Sequence, residues 1–152
     1  MPVFLTASNA KGANGPLFPE LTQALPDVPV IDRVIINAWD DPNFKGAVEK
    51  TGRKKLIMAG VTADVCLTFP ALGAVRDGYD VYAVMDASGT VSEQALYASM
   101  FRMSQAGVKI ANTNMVIAEL LADWSSPYGK PLAGLYAKHL PNFGFIAAQL
   151  GQ

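Results

Sequence analysis

Short apolar, partly β-branched runs alternate along this chain with longer segments of helical period, and that alternation limits the fold more than any other feature. The runs are PVFLTA (2–7), VPVIDRVI (28–35), KKLIMAG (54–60), YDVYAVMDA (79–87) and VKIAN (108–112). Helical spacing fills the intervals near 43–51, 64–77, 92–106 and 114–124. Strands linked through helices make βαβ units, which build a parallel α/β sheet. The glycines in VRDGYDVYAV and SQAGVKIA stand where a helix ends and the chain turns back into the sheet.

At 152 residues and 51% apolar composition, the chain is the size of one domain with a substantial core. Residues 1–124 read as the α/β domain. Residues 125–152 read as a linker, SSPYGKPLAG, followed by a helical arm that belongs to the same domain or to an interface with another subunit. The Gly-, Pro- and Asn-rich stretch NAKGANGPLFPELTQALPDVP reads as a loop carrying one short helix near FPELTQAL.

Twelve basic residues against thirteen acidic ones, with no basic stripe, make nucleic acid and anionic membranes poor partners. No apolar run approaches the roughly 20 residues that span a bilayer, and the first residues lack a signal-peptide layout, so a cytoplasmic protein is expected. One cysteine and one histidine supply neither a disulfide nor a metal-ligand cluster, so no metal or other cofactor is expected.

The cysteine is Cys66, in GVTADVC between the third strand and the following helix. In open α/β sheets, sites gather beyond the carboxyl ends of the strands, where loops meet helix N-termini. A thiol there feels the positive end of the helix dipole, which favours the reactive thiolate, and nearby backbone N–H groups can stabilise an oxyanion. A free cysteine is also among the most buried residue types, and position alone leaves both readings open.

From LTASNAKGANGPLFPEL through INAWDDPNF, IMAGVTADVCLTFPALGAVRDGYDVYAVMDASGT and RMSQAG, the chain closely resembles the isochorismatase-like cysteine hydrolases, specifically the YcaC-like branch. The resemblance covers nearly all of residues 2–140. It implies a doubly wound parallel sheet with helices on both faces. It also implies a triad of aspartate, basic residue and cysteine that cleaves carbon–nitrogen bonds of small amide-like substrates through a thioester. By resemblance Cys66 is the nucleophile, and Arg33 in VIDRVIINAW is the basic residue, which would stabilise the thiolate and hold a substrate carbonyl or carboxylate. The branch usually carries a proline and a glycine after that arginine, where this chain has VII. The alternative for Arg33 is a surface pair with Asp32 or Asp27. The resemblance further implies a cis peptide at Val61-Thr62 and oxyanion donors at the backbone of Thr62 and Cys66, with Ala63 replacing the more usual Thr or Ser.

Family members open with a strand that ends in the aspartate acting as general base and acid. The resemblance begins after that strand, so the sequence reads as N-terminally shortened, either as a fragment or as a natural short form. Asp86 and Asp32 are the nearest substitute carboxylates at strand ends. For Asp86 the stronger expectation is that it caps the helix starting near Ser92 or satisfies turn amides. Asp64 reads as a helix N-terminal carboxylate, and Asp40 and Asp41 as turn and N-cap residues.

Trp39 and Phe69 flank the site in sequence and are candidates to line its pocket, or else core aromatics. Asn14 could reach the site from its loop, although a turn role suits it better. His139, the single imidazole, lies in the C-terminal arm and reads as packed or surface-exposed. Met100 and Met103 have core or interface spacing. Two functions follow: a cofactor-independent cysteine hydrolase, or a catalytically silent member serving as a binding or assembly subunit. The resemblance also implies a homo-oligomer, such as an octamer.

Overall fold

A computed structural model describes residues 1–139 of the chain. Two compact units divide it, Met1–Thr113 and Asn114 onwards.

The first unit holds all five expected strands, each shorter than its apolar run. They are β1 (Leu5–Ser8), β2 (Val30–Arg33), β3 (Lys55–Met58), β4 (Asp80–Val84) and β5 (Lys109–Ala111). Every pairing is parallel, but hydrogen bonding groups the strands as β1-β2 and β3-β4-β5. Register pairs Thr6 with Ile31 and Ser8 with Arg33. Because side chains alternate faces, Phe4, Thr6, Ile31 and Arg33 share one face of the first sheet.

The helices are α1 (Pro19–Ala24), α2 (Pro42–Glu49), α3 (Thr68–Arg76) and α4 (Glu93–Gln105). Asp41 caps α2 as expected, its Oδ1 accepting from the Asn43 and Phe44 amides at 3.0 and 2.9 Å, with Pro42 opening the helix. Ser92 caps α4 through the Ala95 amide. Gly78 and Gly107, at φ 81° and 91°, follow α3 and α4 and turn the chain toward β4 and β5. That left-handed conformation is one that glycine adopts without steric cost.

One core cluster joins the Ala38–Asp40 turn, α2, α3, β4 and Met103 of α4, with Phe4, Ile31, Leu56 and Met58 packed against it. Trp39 sits at its centre, 1% exposed and edge-on to Tyr79 at 5.0 Å. Its Nε1 donates to Asp77 Oδ2 at 2.9 Å. A Cβ on Gly73 would lie 2.8 Å from Trp39 Cδ1, so a glycine is what lets α3 approach the indole.

The second unit contains α5 (Thr113–Leu121) for most of its length and α6 (Gly129–His139). The expected linker SSPYGKPLAG is therefore helical from Gly129 onward. Pro131 does not prevent this, because in a first turn the missing N–H has no intrahelical partner to lose. Trp124 packs edge-on against Tyr136 at 5.9 Å, and a Cβ on Gly129 would stand 2.0 Å from the Trp124 carbonyl oxygen. The rest of the expected arm, 140–152, lies outside the described residues.

Candidate active site

Between β3 and α3 the chain makes a tight turn and then one π-helical turn, Ala63–Leu67, before α3 begins at Thr68. The expected helix over 64–77 thus starts wider than an α-helix, a form that often accompanies functional sites. The peptide bond between Val61 and Thr62 is cis. Leu67 and Cys66 both donate their amides to the Thr62 carbonyl, at 3.3 and 2.8 Å, and Thr68 Oγ1 donates to the Ala63 carbonyl at 2.7 Å.

The DASGT loop after β4 fastens this turn. Ala63 N–H donates to the Gly89 carbonyl at 2.7 Å. Gly60 N–H donates to Ser88 Oγ at 3.2 Å, and that hydroxyl donates to the Val84 carbonyl. A Cβ on Gly60 would come within 3.1 Å of the Cys66 carbonyl carbon and oxygen, so the strand end lies directly against the cysteine backbone.

Cys66 is a free thiol of intermediate exposure. Arg33, 5% exposed at the end of β2, lies within its electrostatic reach. Burial lowers the guanidinium from its ordinary value, while Cys66, Asp41 and Asp32 pull it back up. The group nonetheless remains a cation, as arginine does in proteins. Its Nε donates to Thr6 Oγ1 at 3.2 Å, and its Nη1 donates to the carbonyls of Ile35 and of Ile36, the latter at 2.6 Å. Thr6 Oγ1 in turn donates to the Ile31 carbonyl at 2.8 Å. Arg33 is therefore a buried, oriented cation, and the alternative of a surface pair does not describe it.

Both substitute carboxylates are engaged elsewhere. Asp86 Oδ1 accepts from the amide and hydroxyl of Thr113 at 2.7 and 2.9 Å, and not from the helix that starts after Ser92, which Ser92 itself caps. Asp32 Oδ1 accepts from the Ala10 amide at 2.9 Å. Asp64 Oδ1 is buried without a hydrogen-bond partner. Among the described residues no carboxylate is hydrogen-bonded to Cys66.

The remaining candidates separate clearly. Trp39 is core, and Met103 is fully buried beside it. Phe69 is half-buried and carries the Arg102 guanidinium over its ring at 5.6 Å. Asn14 takes the turn role, donating Nδ2 to the Ser8 carbonyl at 2.9 Å. Asp40 Oδ2 accepts from Asn37 Nδ2. His139 ends α6 in the second unit. Thr6 and Ser88, which hold the site together, escape a reading by sequence because each acts only once strand pairing or loop docking is known.

Among the described residues there is no cluster of three metal-ligating side chains, and no helix is long and apolar enough to cross a membrane.

The isochorismatase domain profile matches residues 2–115. The chain is 45% identical over 144 residues to the "Probable hydrolase YcaC" of Escherichia coli strain K12, covering 94% of this chain and 69% of that one. Among solved structures it is similar to the E. coli YcaC gene product, described as an octameric hydrolase of unknown specificity. That likeness has a TM-score of 0.90 and 44% identity, over 99% of this chain and 74% of the other. YcaC from Pseudomonas aeruginosa, solved with hexane-2,5-diol and covalent acrylamide, gives a TM-score of 0.91 at 42% identity, over 100% of this chain and 75% of that one.

Proposed function

Since the chain belongs to the isochorismatase family, we propose that it is a hydrolase of small carboxamides that works through Cys66. The observation that carries this reading is the placement of a partly buried free cysteine on a strand-to-helix turn, within electrostatic reach of a buried arginine that is itself held by three hydrogen bonds. In the proposed reaction the Cys66 thiolate attacks the carbonyl carbon, and the tetrahedral adduct collapses with cleavage of the C–N bond and departure of the amine, which takes a proton from solvent. Water then hydrolyses the thioester to release the carboxylic acid and regenerate Cys66. Arg33 stabilises the thiolate and holds the substrate oxygen. The Thr62 amide carries no hydrogen bond among the described residues, and it serves as oxyanion donor. The Cys66 amide is already shared with the Thr62 carbonyl and contributes less.

The covalent acrylamide in the Pseudomonas structure is consistent with this chemistry, since acrylamide is both a small carboxamide and an electrophile for soft nucleophiles. As Cys66 is the single cysteine, its alkylation can be followed on the whole protein by mass. In time courses of mass gain with acrylamide at neutral pH, wild type is expected to be alkylated several-fold faster than Arg33→Met, which lacks the neighbouring cation. Equal profiles for the two proteins would remove Arg33 from the site.

The engagement of Asp86 and Asp32 elsewhere favours a second reading, a catalytically silent subunit that keeps the site for binding. Assembly suits either reading. Residues 34–36 are three successive exposed apolar side chains, and Tyr97 and Phe101 project one turn apart from α4. A homo-oligomer is expected by light scattering, and a single-chain mass at micromolar concentration would contradict it.

A further inference from the structure

Arg33 has few donors left to offer. A guanidinium presents five N–H groups in one plane, and it grips a carboxylate by two parallel bonds along one edge. Two edges can do this, one formed by Nε and Nη2, the other by Nη1 and Nη2. Here Nε is taken by Thr6 Oγ1, and Nη1 by the carbonyls of Ile35 and Ile36. Nη2 alone carries no hydrogen bond among the described residues. Each edge has therefore lost one of its two donors.

Thr6 is as constrained as the group it holds. Its hydroxyl proton goes to the Ile31 carbonyl, so the oxygen meets Arg33 only as an acceptor. The bond between Thr6 and Nε is a product of strand register, which places Thr6 beside Ile31 and two residues behind Arg33 on the same face.

We propose that Thr6 is a specificity-determining residue: by occupying Nε it restricts Arg33 to one free corner, so that the site beside Cys66 accepts the single oxygen of a neutral carboxamide in preference to a carboxylate. This rests on the reading of Cys66 and Arg33 given above. A carboxylate entering a buried site without a two-point grip loses its hydration and regains one hydrogen-bonding corner, whereas an amide carbonyl needs only that corner.

The test compares alkylation of Cys66 by iodoacetamide and by iodoacetate, each rate being divided by that of the same reagent with a small free thiol. Wild type is expected to favour iodoacetamide by about tenfold, the effect of one well-placed hydrogen bond. Thr6→Ala frees the Nε edge and is expected to bring the ratio toward unity, while Thr6→Ser, which keeps the hydroxyl, retains the wild-type ratio. A wild-type preference for iodoacetate overturns the proposal by itself, even if Thr6→Ala does not fold. Parallel loss of both rates in Thr6→Ala, with the ratio unchanged, reduces Thr6 to a structural support and overturns it too. Failure of the underlying site has a different signature: Arg33→Met would then leave both rates as they are in wild type.

Discussion

Replacing Cys66 by alanine is expected to abolish hydrolysis of small carboxamides, lowering kcat/KM by at least about a thousandfold, because a nucleophile acts as part of a unit and its removal takes most of the rate with it. The substitution removes the sulfur of one partly buried residue from a turn whose shape is held by backbone bonds from Ala63, Cys66 and Leu67 and by the Thr68 hydroxyl. The fold should therefore persist, and an unchanged thermal unfolding curve would assign the loss to chemistry. The measurement is turnover on a panel of primary amides for wild type and variant. Equal rates would exclude Cys66 as nucleophile. A wild type inactive on the whole panel would favour the silent subunit instead.

The largest effect on stability is expected at Trp39. Trp39→Ala empties the centre of the core cluster and should cost about 3–5 kcal/mol, read as a fall in the urea midpoint at neutral pH. Little can move in to compensate, since Gly73 has no side chain and Tyr79 is held edge-on. A loss below about 1 kcal/mol would mean that the core collapses around the gap. Trp39→Phe should cost less and leave a second trace. Hydrogen bonds from Lys45 and then from Trp39 hold the Asp77 carboxyl down to about 2 from 3.8. A depressed carboxyl stabilises the fold above its unfolded value, and that contribution is lost as pH falls through about 2. Without the indole donor the Asp77 value rises toward 3.8, and this part of the acid sensitivity shrinks.

Much of the architecture was legible because burial writes itself as periodicity. The five β-branched runs are all strands, and the glycines at 78 and 107 end their helices as expected. What periodicity does not carry is pairing. The division into β1-β2 and β3-β4-β5 depends on which edges bond, and hydrophobic patterns are silent on that. The second apolar run shows another limit, since it continues past Arg33 while β2 stops there and the chain bends back over the guanidinium. At the site, Cys66 and Arg33 could be named by resemblance. Thr6 could not, because its role arises from a neighbour 27 residues away across a strand pair. Trp39 carried two readings until its burial decided for the core.

The bend after β2 has one more implication. The carbonyls of Ile35 and Ile36 face inward to Arg33 while their side chains stand 40% and 62% exposed. Three successive exposed apolar side chains, residues 34–36, and the buried Arg33 guanidinium are thus joined through two backbone carbonyls. Any shift of the backbone at Ile35 and Ile36 is therefore also a shift of the two acceptors that hold Arg33 Nη1.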